Sequence, residues 1–325
     1  MFTSLYKHLG RSALLMILAL AATATAVADT SQADTLLKQG RVQDAVTILR
    51  GTLSAHPKDG LAHALLCRVY YAQDMADRAV NECEHAVQDD PDNSDFQMWL
   101  GRSYGMKASQ INMLSAFVVA KKVHVAFERA VELDPTNVQA MSDLGQFYVA
   151  APAIVGGGVD KAAALVPKMM PLSPQKAHRI LALIAEKRND LATAEAEFKN
   201  AIAANKSAEA WVDLGQFYQQ QHEPDKAAAA LESSMEANHA RDAALVDVAS
   251  ILTDIHRRPD LAEKALREYL ASPAKTDTAP AFKVHLQLGD ILKGRGDTAG
   301  AKREYAAALA LAPDFAPARK AAENA

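Results

Sequence analysis

Leu66 to Leu100, Leu214 to Val248 and Pro57 to Pro91 are each 34 residues apart. A fixed interval of that length restricts the chain to architectures in which one small unit is used many times. No single unit can bury its own apolar face, so the units must stack. Within each interval apolar residues recur every three or four positions, which is helical spacing, and no stretch alternates as a half-buried strand does. Turns such as Gln39-Gly40, Asn189-Asp190 and Arg295-Gly296-Asp297 split the unit into two helices. Pro91, Pro135 and Pro313 end second helices, because the residue before a proline is pushed out of the helical region. The expectation is an all-α chain without a sheet.

The unit is clearest in residues 208–241, where Trp211, Leu214, Gly215, Tyr218 and Ala227 follow W-x2-L-G-x2-Y-x8-A. The grammar returns at His285, Leu288, Gly289, Leu292, Ala301, Tyr305, Ala308 and Pro313, and at Leu66, Cys67, Tyr70, Ala79, Ala86 and Pro91, with weaker copies between. This pattern resembles the tetratricopeptide repeat (TPR) family. The resemblance implies a right-handed superhelical solenoid of about eight helix-turn-helix repeats, closed by a short C-terminal capping helix. The repeats fall at about 29–59, 60–93, 94–137, 138–174, 175–207, 208–241 and 242–271, and a last one lies within 282–325. A linker at 272–281, with Pro273 and Pro280, reads as a hinge that lets the last repeat pack at an altered angle. Mid-helix Gly101, Gly145, Gly215 and Gly289 each cost about 1 kcal/mol against alanine. Close approach of a second helix bearing Ala79, Ala162, Ala194, Ala227 or Ala301 is the simplest compensation.

Lys7 and Arg11 precede an apolar run from Ala13 to about Ala22 and a small-residue site, Ala26-Val27-Ala28. That is the pattern of a cleavable secretory leader over 1–28, cut after Ala28. The alternative is an uncleaved anchor, although the apolar core is shorter than the ~20 residues of a membrane span. The leader reading points to a periplasmic or secreted protein. The formal charge of −4 becomes −6 without the leader, which carries two bases and no acid. No basic stripe suits nucleic acid. In an oxidising compartment Cys67 and Cys83, about two helical turns either side of the turn near Asp74, come level on antiparallel helices and suit a disulfide. Two other readings stand beside it: small core residues, or a metal site of His63, Cys67 and His85, from which His85 should point away.

No catalytic motif is present: there is no His-Glu-x-x-His, no G-x-S-x-G and no Walker lysine followed by Ser or Thr. No cofactor or metal is called for. Gly156-Gly157-Gly158 with Lys161 has the look of a phosphate cradle but lacks the preceding strand and the G-K-[ST] ending, so a loop within one repeat is the plainer reading. Trp99 stands two residues from the family's tryptophan place, taken here by Gln97, and reads as core filling.

Two stretched intervals are informative. Leu100 to Leu144 is 44 residues, the excess lying between Tyr104 and Phe127, and the next unit is lengthened by residues 151–158. Both insertions fall between first and second helices of adjacent repeats, so they emerge together on one edge, to dock a partner or to pack on each other. In the family the concave groove is lined by first helices. The resemblance therefore places Ala64, Arg68 and Tyr71, then Met98, Arg102 and Met106, then Ser142, Gln146 and Val149, with Gln216 and Gln219, along it. Arg68 and Arg102 suit a carboxylate or an extended acidic peptide, or are simply solvated. The lysine and asparagine clamp of chaperone-binding members is not recognisable. The reading is a non-catalytic scaffold in the cell envelope that binds a protein or peptide through this groove, the inserted loops, or both. Binding of exported or cell-wall polysaccharide is the alternative, and an enzyme using the glycine loop is third.

Overall fold

Several helices of the array start for a local reason. Asp59, Asn93, Asn137, Ser173, Asp190, Ser207 and Asp297 stand just before helices and accept hydrogen bonds from first-turn N–H groups that have no intrahelical partner. Within most pairs the reversal uses a residue in the left-handed region, at Gly40, Asp74, Asn189, His222, His256 and Gly296. The computed structural model describes residues 29–325; the leader and its cleavage site lie outside the described residues.

The helices pair in chain order: α1 (29–38) with α2 (Val42–Ala55), α3 (Gly60–Ala72) with α4 (Ala76–Asp89), and α5 (Ser94–Gln110) with α6 (Met113–Leu133). Next come α7 (Val138–Ala150) with α8 (Val159–Met169), α9 (Pro174–Lys187) with α10 (Leu191–Asn205), and α11 (Ala208–Gln220) with α12 (Pro224–Ala237). The last pairs are α13 (Ala244–Asp254) with α14 (Pro259–Ala271) and α15 (Ala281–Gly294) with α16 (Thr298–Leu311), followed by α17 (Ala316–Glu323). The described residues contain no strand, and none of their helices is long and apolar enough to cross a membrane. Close helix approach explains the mid-helix glycines: a Cβ on Gly101 would lie 2.5 Å from the Phe127 ring, and one on Gly289 would enter the Tyr305 ring.

Three repeats fasten their own helices with the same pair. His63, His178 and His285 on first helices each meet a glutamate on the second, Glu82, Glu197 and Glu304, at 2.7 Å. Cys67 and Cys83 are joined by a disulfide between α3 and α4, with Cα atoms 5.2 Å apart, beside the buried Ser103 hydroxyl. Between repeats, first-helix tyrosines donate to carboxylates of the preceding second helix: Tyr148 to Glu128 at 2.7 Å, Tyr218 to Glu195 at 2.8 Å, and Tyr104 to Glu84. Burial, then the carboxylate partner, raises the pKa of these hydroxyls, that of Tyr218 to about 12.

The array curls until its last repeat meets its first two. Phe282 of α15 and Phe315, with ring centroids 4.9 Å apart, share one buried cluster with Leu36, Leu37 and Val42. Asp277 accepts from Arg68 at 2.6 Å and Lys283 donates to Asp74 at 2.7 Å, each across 209 residues of chain. The 272–281 segment, read from sequence as a hinge, is therefore tied down. Tyr269 donates its hydroxyl to the Ala279 carbonyl at 2.6 Å and accepts from the Thr276 N–H at 2.9 Å.

Candidate partner-binding groove

The inner face of the array is built from first helices, and along α7, α9, α11 and α13 it opens into a cavity of about 400 Å³. Motif leucines or valines at Leu144, Leu214 and Val248 are buried, so the residue before each is turned onto this face. Those residues are Asp143, Asp213 and Asp247, and Arg179 enters between the first two. Five acids (Asp143, Glu209, Asp213, Asp247 and Asp254) line the cavity against two bases, Lys176 and Arg179.

Most of these charges have partners. Arg102 donates to Asp143 at 2.6 Å, Arg179 to Asp213 Oδ1 at 2.9 Å, and Lys176 to Glu209 at 3.1 Å. The outer nitrogens of Arg179 reach Gln146 Oε1 at 3.4 Å. Burial opposes the charge on Arg179, but Asp213, then Glu209 and Asp143, more than compensate and its pKa stands above the usual value. At Asp213 the balance goes the other way: only 9% exposed, its carboxyl is raised by desolvation beyond what Arg179 restores. Asp213 Oδ2 is buried and has no hydrogen-bond partner among the described residues. Asp254 accepts one bond, from the Gln219 amide at 3.3 Å. Asp247 is exposed and has no cation beside it among the described residues. Partial loss of hydration against the wall, then Asp213, Glu209 and Asp242, pushes its pKa up to about 6.

The residues singled out from sequence divide between this cavity and the packed stretch before it. Ser142, Gln146, Gln216 and Gln219 line the cavity. Ala64, Met98 and Val149 are buried instead. Arg68 and Arg102, expected to suit a carboxylate, already have carboxylate partners within the chain. Arg68 is held by Asp277 and Asp34, at 2.6 and 3.2 Å, and Arg102 by Asp143. Both guanidiniums sit over the half-buried Trp99, at 5.4 and 4.8 Å from its ring centroid, and Tyr71 meets the same ring edge-on at 5.4 Å. Trp99 is thus a platform for the chain's own arginines. Met106 is half-buried further along α5.

The glycine loop is no phosphate cradle. The N–H groups of Gly156, Gly157 and Gly158 donate to the carbonyls of Ala153, Pro152 and Tyr148, and Lys161 Nζ donates to the Gly156 carbonyl at 3.0 Å. A Cβ at Gly156 would enter the His124 ring and one at Gly157 would strike the Ala151 carbonyl. The loop is glycine-rich because it lies against α6 and the end of α7. The two insertions meet there, Gly156 lying against the His124 ring, which also stacks on Phe147 of α7 at 5.6 Å; α5 and α6 take up the 44-residue interval with 17 and 21 residues. Beyond that contact the start of α6 projects, with Met113 and Leu114 76% and 81% exposed.

TPR family models match residues 36–104, 181–243 and 282–315, together about half of the sequence. The chain is a tetratricopeptide-repeat protein. Among solved structures it is similar to yeast Tom70, with a TM-score of 0.51 and 15% identity over 87% of this chain and 57% of that one. It is also similar to a thermophilic TPR protein of Thermus thermophilus (TM-score 0.47, 19% identity, 70% and 99% coverage). A third is a TPR protein of Parabacteroides merdae (TM-score 0.47, 12% identity, 92% and 97% coverage). No curated protein sequence matches the chain. These likenesses concern the fold; the acids before the motif leucines belong to this TPR chain's own sequence. Sequence reading passed over Asp143, Asp213 and Asp247, though their shared place one residue before the motif leucine or valine was visible.

Proposed function

We propose that the protein is a non-catalytic interaction scaffold of the cell envelope that holds an extended segment of a partner protein in the groove across α7, α9, α11 and α13. One observation carries this reading: the groove is lined by side-chain amides from two first helices, Gln146 on α7 and Gln216 and Gln219 on α11, interleaved with charges. Gln216 keeps both donor and acceptor, while Gln146, whose oxygen meets Arg179, keeps its N–H groups and Gln219, whose amide meets Asp254, keeps its oxygen, so the wall offers both kinds of group to the edges of a peptide backbone. The polysaccharide alternative has less to stand on, since no aromatic ring lines the cavity for sugar stacking. The envelope location is supported by the leader pattern through Ala28 and by the Cys67–Cys83 disulfide, which suits an oxidising compartment.

Photo-crosslinking in the native cell tests the proposal. A crosslinker at Gln216 is expected to capture one protein, identified by mass spectrometry, that a crosslinker at Lys199 on α10 does not. Equal capture at both positions, or none at Gln216 with retention of the protein on a glycan resin, overturns it.

A further inference from the structure

We propose that the groove wall between α11 and α13 holds the cationic side chain, lysine or arginine, of an extended peptide, with Asp247 as its acceptor and the buried carboxylate of Asp213 behind it. This rests on the groove being a peptide site and adds what the peptide must carry.

The cavity's own cations are already taken. Arg179 spends its Nε on Asp213 Oδ1 and its outer nitrogens on Gln146, and Lys176 spends its ammonium on Glu209 and Gln139. No other base lines the cavity. Asp213 nevertheless keeps a buried Oδ2 with no hydrogen-bond partner among the described residues, and a buried carboxylate oxygen without a donor is costly. Asp247 stands on the adjacent helix, exposed and without a cation of its own among the described residues. With first helices packed about 8–10 Å apart, a cation held at Asp247 also feels the field of the buried Asp213 carboxylate. Asp254 lies two helical turns further along α13, on the same wall, and extends the negative field toward the mouth of the groove.

The occupant is a peptide rather than a free amine because the acidic place is one part of a longer groove. It is continuous with Gln216 and Gln219 on one helix and with Gln146 two repeats earlier, so a backbone can run past the amides while one side chain drops onto Asp247. A small amine would leave the rest of that wall unused.

Panning a phage-displayed random dodecapeptide library against the full chain tests this. Enriched peptides are expected to share a lysine or arginine at one fixed place. Replacing it with norleucine, or making Asp247→Asn in the protein, should weaken binding about tenfold. Asp225→Asn, an exposed acid on α12 outside the groove, should leave it unchanged. Enriched peptides with no shared basic residue, or whose affinity ignores Asp247→Asn, overturn the cation site while leaving the peptide groove standing. Recovery of no peptide overturns both.

Discussion

At α3 and α5 the inner face carries Arg68 and Arg102; at α11 and α13 it carries Asp213 and Asp247. The chain treats these two stretches of one surface differently. Every arginine of the first is matched by acids, some delivered from the far end of the chain, as Asp277 is, and both cations are stacked on Trp99. Acids of the second share a single arginine, and Asp213 Oδ2 and Asp247 are left without a cation. Charge that is fully matched fixes structure; here it locks the last repeat onto the first two. Charge left unmatched in a cavity is available for recognition, at some expense in stability.

The strongest way to break this contrast is to remove the second stretch's only arginine. Arg179→Met leaves Asp213 buried with only the more distant Lys176 to offset it, which should destabilise the array by about 3–4 kcal/mol in urea unfolding, and adding Asp213→Asn should recover most of that loss. Next in size is the first stretch's covalent tie. Reducing Cys67–Cys83, which closes a loop with a sequence separation of 16, should cost up to about 3 kcal/mol. Hydrogen exchange should show the loosening in α3 and α4 and leave α11 and α13 as they were, since a repeat array passes stability mainly between neighbours.

The helices of this molecule were legible because the repeat writes them locally: a small residue at Gly101 or Gly289, a tyrosine at 218, a proline at 91. The binding wall was less legible, because it lies in positions the repeat leaves free and its character depends on partners far away in sequence. Arg68 looks like a groove cation until Asp277 arrives from 209 residues downstream. The contacts of 272–281 were hidden for the same reason, since prolines and small polar residues mark a break in the pattern but do not report the bonds that Tyr269 and Arg68 make to it. Asp213 and Asp247 were readable in principle, because an acid before a buried motif residue must face the groove; their isolation from cations was not.

Asp277→Asn sharpens the comparison from the other side. It withdraws the nearer of the two carboxylates from Arg68, whose side chain is 20% exposed, and should cost about 1–2 kcal/mol, with the loss read as faster exchange at α1 and α15. It also leaves Arg68 short of negative charge. The variant's first stretch should then bind an acidic peptide that the native chain ignores.

Asp247 gives the smallest effect and the most specific one. Its folded pKa, about 6, lies above the unfolded value near 3.8, so the folded state holds this proton more tightly than the unfolded chain does. The sign follows directly: between those two values the folded chain binds more protons, and its stability falls as pH rises from about 4 to about 6. Above that window the penalty is fully present; below it the penalty is gone. Because the side chain meets solvent, screening holds the effect to under about 1 kcal/mol. Asp247→Asn should therefore raise the melting temperature at pH 7.5 and leave it unchanged at pH 4, whereas Asp143→Asn, which removes the partner of Arg102, should lower it at pH 7.5. A melting temperature that Asp247→Asn lowers at pH 7.5 would mean that this carboxylate is matched within the chain after all, and the two stretches of the inner face would then be alike.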